Sequence, residues 1–386
     1  MNNQKPSFID LDSSATTPVS PGVLEAMIPF FREEYGNPSS PYPLGERAKE
    51  AVSQAREKLA WLLSAQSREI LFTSGGTESN QTAIRGALSA RPGRKEILIS
   101  SIEHSSILGL APFLEKEGYK VSVLPVNPCG RIEPETVRNA LSEDTALVSV
   151  MWVNNETGAI QPIQEIVADA HKAGALVHTD AVAATGKIPI DLSKVHVDSL
   201  SLSAHKIYGP KGIGALFIRK GETFSSLMPG SQERKRRGGT ENVPGIVGLG
   251  YAAVEATEFL QNSIAKITLL RDHLEESLMD YFTFVRRNGP KEQSLRAPHI
   301  ANLGFSGIAA EKLLMDLVRE GIYVSMGSAC SSGSIDPSHV LTAMGQTREE
   351  ALSALRFSLG RSTTARDIDR TTTILSGILK EKRRAS

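Results

Sequence analysis

Residues 199–214 read SLSLSAHKIYGPKGIG, and this stretch decides how the chain is expected to fold. A strand is predicted over residues 199–203, and a loop of glycine and proline begins at Gly209. Lys206 therefore stands where the carboxyl end of a strand meets a loop, which is the edge where parallel α/β sheets bind ligands. Burial and neighbouring charges can tune such a lysine into a former of Schiff bases. This stretch alone is modest evidence, because a lysine in a loop is more commonly a solvated surface residue.

Outward from this stretch, short apolar segments alternate with longer segments of helical periodicity. The predicted strands are residues 69–73, 96–100, 120–124, 146–153, 175–180, 199–203 and 213–219, the last either at the edge of the sheet or inside it. The predicted helices between them are residues 78–90, 106–117, 134–141 and 163–173. Strands that are apolar throughout and alternate with helices are typical of a parallel sheet covered on both faces. The predicted fold class is α/β, with a mainly parallel seven-stranded sheet between helices in a large domain, residues 14–262.

The remainder of the chain predicts a smaller α+β domain, residues 263–386. Its predicted helices are residues 263–281, 311–320 and 348–354, and its predicted strands are residues 284–287, 299–305, 323–326 and 355–358. Residues 1–13 could pack on either domain, and we group them with the smaller one.

Composition and charge exclude several classes of protein. The chain has 43 basic and 43 acidic residues, so neither direct nucleic-acid binding nor membrane binding is expected. The basic runs at residues 234–237 and 380–384 are interpreted as a solvated loop and tail. The only cysteines are Cys129 and Cys330, which favours a reducing compartment, and no apolar stretch resembles a signal peptide or a membrane span. We therefore expect a cytoplasmic protein without a metal site.

Two further stretches give Lys206 a ligand to hold. The apolar strand in residues 175–184, ALVHTDAVAA, ends in Asp180. This residue could be a helix cap, or the carboxylate that keeps a pyridine nitrogen protonated in enzymes that use pyridoxal phosphate (PLP). Residues 72–80, FTSGGTESN, place glycines between a strand and a helix, where free N–H groups bind phosphate. Their spacing matches neither the dinucleotide-binding fingerprint nor the P-loop.

Motifs along the whole chain resemble the cysteine desulfurases of the NifS/IscS type, in the class-V aminotransferase group of fold-type I PLP enzymes. They are DLDSSATTP (10–18), YGNPSS (35–40), FTSGGTESN (72–80), EHSSI (103–107), VNNETGAIQPI (153–163), VHTDAV (177–182), SLSAHKIYGPKGIG (201–214), GGTEN (238–242), GSACSSG (327–333) and LRFSLGR (355–361). The resemblance implies a homodimeric enzyme that converts L-cysteine to L-alanine, forms a persulfide and delivers sulfur to an acceptor protein.

The resemblance also implies roles for single residues. Lys206 carries PLP and removes the Cα proton, His104 stacks on the ring and transfers protons, and Cys330 takes the sulfur. Residues implied in cofactor binding are Asp180, Asn155, Gly76, Thr77, Ser203 and His205, with Thr240 completing the phosphate site of the partner subunit. Arg356, together with Asn155, binds the substrate carboxylate. Without the resemblance, Arg356 would be interpreted as a solvated strand residue and His104 as a surface histidine.

The sequence departs from the family pattern at Ala183, where a glutamine typically bonds the ring hydroxyl, and at Tyr42, where a histidine is usual. The lost hydrogen bond is worth about 1–3 kcal/mol, and Asn155, Lys206 or a water could replace it. Two alternatives stay open: a selenocysteine lyase, and a non-catalytic desulfurase-like scaffold. The acceptor also stays open among iron–sulfur clusters, tRNA, other cofactors and the DNA backbone.

Overall fold

The computed structural model describes residues 8–222, 224–327 and 336–384. The strands are β1 (Ile9–Asp10), β2 (Ile70–Thr73), β3 (Glu96–Ser100), β4 (Lys120–Leu124), β5 (Thr145–Ser149), β6 (Leu176–Asp180), β7 (Ser199–Ser203), β8 (Gly214–Ile218), β9 (Val285–Arg287), β10 (Ile300–Phe305), β11 (Ile322–Tyr323) and β12 (Ala354–Ser358). The helices are α1 (Pro21–Met27), α2 (Pro29–Arg32), α3 (Pro43–Leu62), α4 (Gly76–Ala90), α5 (Ser105–Leu108), α6 (Ala111–Lys116), α7 (Pro134–Ala140), α8 (Ile163–Lys172), α9 (Gln232–Lys235), α10 (Val243–Asn262), α11 (Ile264–Met279), α12 (Ala310–Arg319), α13 (His339–Ala343), α14 (Arg348–Ala351) and α15 (Ala365–Arg384).

The largest sheet has seven strands in the order β2-β8-β7-β6-β5-β3-β4. Neighbours from β7 to β4 are parallel, whereas β8 runs antiparallel to both β7 and β2. The predicted seven-stranded, mainly parallel sheet is confirmed, and the strand predicted over residues 213–219 lies inside it. The carboxyl ends of the parallel strands consequently share one edge.

Helices cover both faces of this sheet. On one face, Leu98 belongs to a buried cluster with Leu59 of α3 and Leu249 of α10. On the other face, Ile97 belongs to a buried cluster with Ile84 of α4. Because successive strand residues point to opposite faces, a sheet covered on both faces requires strands that are apolar throughout.

The C-terminal part of the chain has a second core. Around the antiparallel sheet β12-β10-β9, Leu274 of α11 and Leu313 of α12 are fully buried in one hydrophobic cluster. Strand β1 pairs in parallel with β11, and Ile9 and Leu11 are buried in the same cluster. The start of the described chain therefore packs on the C-terminal region, while the division into two domains stays a prediction.

Some elements differ from the predictions. The single helix predicted over residues 106–117 is two helices, because Pro112 has no N–H to donate to the carbonyl of Leu108, as a continuous helix would require. The strand predicted over residues 146–153 ends at Ser149. The long helices α3, α10 and α15 had no predicted counterpart. In the described part of the chain, no helix is both long enough and apolar enough to cross a membrane.

Candidate active site

The ends of β6 and β7 bring two predicted site residues to one edge of the sheet. The two strands are parallel neighbours, with Asp180 at the end of β6 opposite Ser201 of β7. A 3₁₀ turn, Ala204–Lys206, follows β7 directly. Asp180 and Lys206 thus emerge on adjacent strands at the carboxyl edge, where the sequence predicted them.

Lys206 is partly buried, and the N-terminal segment holds its amino group. Nζ donates hydrogen bonds to the carbonyl of Ser14 at 2.5 Å and to that of Ala15 at 2.8 Å. Burial, and then the charge of Arg356, lower the pKa of Lys206 to about 8. A solvated loop lysine has neither feature, so the sequence alternative for Lys206 is wrong.

Asp180 is buried and held in place by two donors. Its Oδ1 accepts from the backbone N–H of Val182 at 2.9 Å, and its Oδ2 accepts from Nδ2 of Asn80 at 2.7 Å. A turn rather than a helix follows Asp180, so the helix-cap interpretation is wrong. No role for Asn80 was predicted from the sequence.

His104 caps helix α5 and lies within electrostatic reach of the other two residues. Its Nδ1 accepts from the backbone N–H of Ser106 at 3.2 Å. Desolvation lowers the pKa of His104; Asp180 opposes this shift, and Lys206 and His339 add to it. The imidazole is therefore mostly neutral at neutral pH and able to accept or relay a proton.

The turn between β2 and α4 is shaped for close approach of a ligand. Gly75 has φ +156° and ψ −176°, a backbone conformation essentially confined to glycine. A Cβ on Gly76 would lie 2.8 Å from Cγ2 of Val182. Helix α4 has no side-chain cap, so the N–H groups of Gly76 and Thr77 can bind an anion. The buried Ser203 lies alongside, since its Oγ would be 3.9 Å from a Cβ on Gly75.

Two other residues are predicted to bind phosphate, and one of them, Thr240, lies beside this turn. Nδ1 of His205 is 3.1 Å from Oγ1 of Thr16, and burial lowers the pKa of His205 to about 4. Thr240 is exposed and lines a surface groove together with Ser74 of the turn. Its role in a partner subunit stays a prediction.

Ion pairs anchor the segment that leads to Thr240. Arg56 and Glu233 form a buried pair with two N–O contacts of 2.6 and 2.8 Å. Nε of Arg237 is 3.0 Å from Oε1 of Glu78 in the first turn of α4. The basic run at residues 234–237 is therefore not simply a solvated loop, because one of its arginines pairs beside the predicted phosphate turn.

Arg356 is buried, contrary to its interpretation as a solvated strand residue. Nη1 donates to the carbonyl of Asn155 at 3.0 Å, and Nη2 donates to Oδ1 of Asp12 at 2.7 Å. Nε is buried without a partner among the described residues. The guanidinium thus retains unused donors for a carboxylate ligand, and Asp12 balances its charge.

Glu156 contacts Gly327 and Ser338, which flank Cys330 in the sequence. Its Oε2 accepts from Oγ of Ser338 at 2.5 Å. A Cβ on Gly327 would lie 2.4 Å from the same oxygen, so Gly327 packs directly against Glu156. Cys330 itself lies outside the described residues.

Comparison with known proteins decides the family. The class-V aminotransferase family matches residues 9–371. A cysteine desulfurase IscS of Methanosarcina thermophila is 48% identical over 378 residues, which are 97% of this chain and 93% of that protein. The chain belongs to the cysteine desulfurases of the class-V aminotransferase family.

Solved structures of similar proteins agree with this family. A NifS-like protein superposes with a TM-score of 0.90 at 37% identity, covering 97% of this chain and 99% of that chain. A structure described as SspA in complex with cysteine has a TM-score of 0.79 at 36% identity, covering 90% of this chain and 98% of that chain. The resemblance to cysteine desulfurases is confirmed, and the enzymes of this family depend on PLP.

The residues of the site fit PLP. An amine of lowered pKa, Lys206, and a buried carboxylate, Asp180, stand on neighbouring strand ends. The turn at Gly75 and Gly76 leaves room that a side chain would fill, beside the uncapped end of α4. The amine suits the aldehyde of PLP, the carboxylate suits its pyridine nitrogen, and the turn suits its phosphate.

Proposed function

We propose that this protein is a PLP-dependent L-cysteine desulfurase, which converts L-cysteine to L-alanine and passes the sulfur as a persulfide on Cys330 to an acceptor. The observation that carries the proposal is the pair of Lys206, with a pKa of about 8, and Asp180 on adjacent strand ends. The membership of the chain in the cysteine desulfurases selects this activity among PLP reactions.

The chain offers a group for each part of the cofactor. Lys206 would hold it covalently, Asp180 would keep the ring nitrogen protonated, and His104 would stack on the ring. The residues that would bind the phosphate are Gly76, Thr77, Ser203 and His205, with Thr240 from the partner subunit of a homodimer. When bound, PLP supplies a ring that delocalises the charge left on Cα after proton removal.

Arg356 and Lys206, which already bond to other residues of the chain, would bind the substrate and transfer its proton. Arg356 would bind the carboxylate of L-cysteine through donors that neither Asn155 nor Asp12 occupies. Neutral Lys206 would remove the Cα proton, and a pKa of about 8 leaves a useful neutral fraction at pH 7–8. Asn155 would lie near the substrate carboxylate and the ring hydroxyl.

Sulfur transfer would use Cys330. Its thiolate attacks Sγ of the substrate, an S–S bond forms and the Cβ–Sγ bond breaks. Cβ receives a proton and becomes the methyl group of alanine. Carbon is reduced as sulfur is oxidised to the persulfide level, so the step needs no outside oxidant. Release as free sulfide requires a thiol reductant.

We place this chemistry in the cytoplasm, with an acceptor protein receiving the sulfur. The methyl group of Ala183 cannot bond the ring hydroxyl as the glutamine of the family typically does, so we expect altered cofactor tuning. Tyr42, the second departure, precedes α3 and is exposed.

The lowered pKa of Lys206 predicts how cofactor loading depends on pH. Only a neutral amine attacks an aldehyde, and the neutral fraction of a lysine rises as the pH passes its pKa. The rate at which cofactor-free protein acquires PLP absorbance should therefore rise through about pH 8 and level off above it. A midpoint near 10.5, the ordinary lysine value, would contradict this assignment.

The products of L-cysteine test the proposed function. PLP-loaded protein, L-cysteine and dithiothreitol should give alanine and sulfide in equal amounts. L-selenocysteine supplied in parallel separates the enzymatic alternative, because rapid selenide release with negligible sulfide release would favour a selenocysteine lyase. Protein that stays colourless after incubation with PLP would favour the scaffold.

A further inference from the structure

Asn80 connects two predicted site residues that stand on different elements. It lies one turn into α4 and is 1% exposed. Its Nδ2 is 2.7 Å from Oδ2 of Asp180 and 2.9 Å from Oγ of Ser106 in α5. A carboxylate only accepts hydrogen bonds, so the atom facing Asp180 is the amide nitrogen and both of its hydrogens are used.

Ser106 continues this connection to His104. Its Oγ accepts from Asn80 and lies 2.9 Å from Nδ1 of His104. The backbone N–H of Ser106 also donates to that nitrogen, at 3.2 Å. Nδ1 is thus an acceptor, so the neutral imidazole carries its proton on Nε2, and the Ser106 hydroxyl donates to Nδ1.

The same connection fixes the carboxylate of Asp180. Val182 occupies Oδ1 and Asn80 occupies Oδ2, so neither oxygen can rotate away without losing a donor. Oδ1 of Asn80 is buried with no partner among the described residues. The amide is therefore oriented by its two donated bonds and not by its oxygen.

We propose that Asn80 and Ser106 are positioning residues, which fix the carboxylate of Asp180 and the tautomer of His104 through one hydrogen-bonded relay. The proposal rests on the proposed function for the roles of Asp180 and His104 toward the cofactor. It extends that function to two residues that need not touch cofactor or substrate. Besides the relay partners, the titratable groups that act on His104 are Lys206 and His339.

Ser106→Ala isolates the histidine half of the relay. The variant loses the hydroxyl but keeps the backbone N–H that donates to Nδ1 of His104. The imidazole ¹⁵N resonances of His104, assigned by their loss in His104→Gln, should show the Nε2–H tautomer in the original protein. The Nδ1–H fraction should rise in the variant, because only the longer backbone bond then favours Nε2–H. Ser106→Thr, which retains a hydroxyl, should restore the original resonances. Ser105→Ala is the matched control, because Ser105 is exposed on the same short helix.

Asn80→Ala removes the hydrogen bond to Asp180 and the hydrogen bond to Ser106 at once. With PLP bound, the pH titration of the cofactor absorbance should shift. The affinity for PLP should fall about tenfold or more, which is the effect expected from losing one hydrogen bond to a charged group. Turnover of L-cysteine should fall through kcat, with KM nearly unchanged, because the substrate carboxylate is bound elsewhere. A role in folding alone would lower thermal stability without these shifts.

Measurements on the variants test the relay, whereas PLP binding by the original protein tests the proposed function. The relay is overturned if Ser106→Ala keeps the original imidazole resonances, if Ser105→Ala changes them equally, or if Asn80→Ala keeps the original cofactor titration. Failure of the original protein to bind PLP would instead overturn the proposed function. The imidazole resonances of cofactor-free protein would still decide whether the relay sets the tautomer.

Discussion

Lys206→Ala is expected to abolish covalent cofactor binding and alanine formation together. The side chain supplies both the attachment point and the base, and loss of a general base alone costs about 10²–10⁴-fold in rate. Reduction with borohydride, proteolysis and mass spectrometry should find the cofactor on the peptide containing Lys206 in the original protein and on none in the variant. Alanine production should fall by at least about a thousandfold.

Lys187 is the competing candidate for this role. Burial lowers its pKa further, to about 7, so the pKa alone would favour it over Lys206. Its Nζ, however, lies 5.3 Å from the ring centre of Tyr208 and 5.9 Å from that of Phe259, whereas Lys206 lies in the turn that directly follows β7. Geometry therefore selects Lys206.

Two outcomes would contradict the assignment of Lys206. Retention of the reduced cofactor in Lys206→Ala would show that another amine holds it, with Lys187 the first to examine. Equal loss in Lys194→Ala would show that the effect is unspecific. The Lys194 side chain is 79% exposed and pairs with Asp191 at the surface, so its removal should change neither loading nor turnover.

The sheet could be predicted because its strands are buried on both faces. Leu98 and Ile97 are adjacent in β3 and belong to different cores, so nothing in the strand interrupts the apolar pattern. The predicted positions of Asp180 and Lys206 followed from this, since both come directly after such strands. Local sequence therefore determines much of this edge of the sheet.

Helix α10 could not be predicted from local propensity. Glycine lowers helix propensity, and the helix contains Gly245, Gly248 and Gly250. A Cβ on Gly250 would lie 2.6 Å from Cα of Ala55 in α3, so the glycine permits close packing of the two helices. This tertiary contact outweighs the local preference.

The partners of the site residues could not be predicted for a related reason. Asn80 and Asp180 are 100 residues apart, and Asp12 and Arg356 are 344 apart. The periodicity of apolar residues along the chain indicates helices and strands, but it cannot predict contacts between residues so far apart in sequence. Asn80 and Asp12 both lie in motifs that the family resemblance identified, FTSGGTESN and DLDSSATTP. Their sequence therefore indicated only that each is a polar residue of a family motif to which no role had been given.

Cys330→Ser is expected to stop sulfur transfer and to leave cofactor binding intact. A serine hydroxyl is not ionised at neutral pH and cannot replace a thiolate as a nucleophile toward sulfur, so sulfide release should fall by about a hundredfold or more. The measurements are sulfide release with dithiothreitol, the absorbance of bound PLP, and the mass of the protein after incubation with L-cysteine. The original protein should gain one sulfur atom, and the variant none.

Cys129→Ser is the matched control, because the chain contains only these two cysteines. Cys129 lies in a turn, where its backbone N–H donates to Oδ1 of Asn127 at 2.9 Å, a bond that serine can also make. This variant should keep sulfide release and gain the sulfur atom. If it loses both while Cys330→Ser keeps them, the persulfide belongs to Cys129.

The response of Cys330→Ser to L-selenocysteine separates the desulfurase from the lyase. In a desulfurase the thiolate receives sulfur directly, so turnover of L-cysteine depends on it. In a lyase, release of selenium would survive the substitution while turnover of L-cysteine would be negligible from the start. A variant that retains PLP and loses sulfide release is therefore the result expected here, whereas full sulfide release from Cys330→Ser would exclude Cys330 as the sulfur carrier.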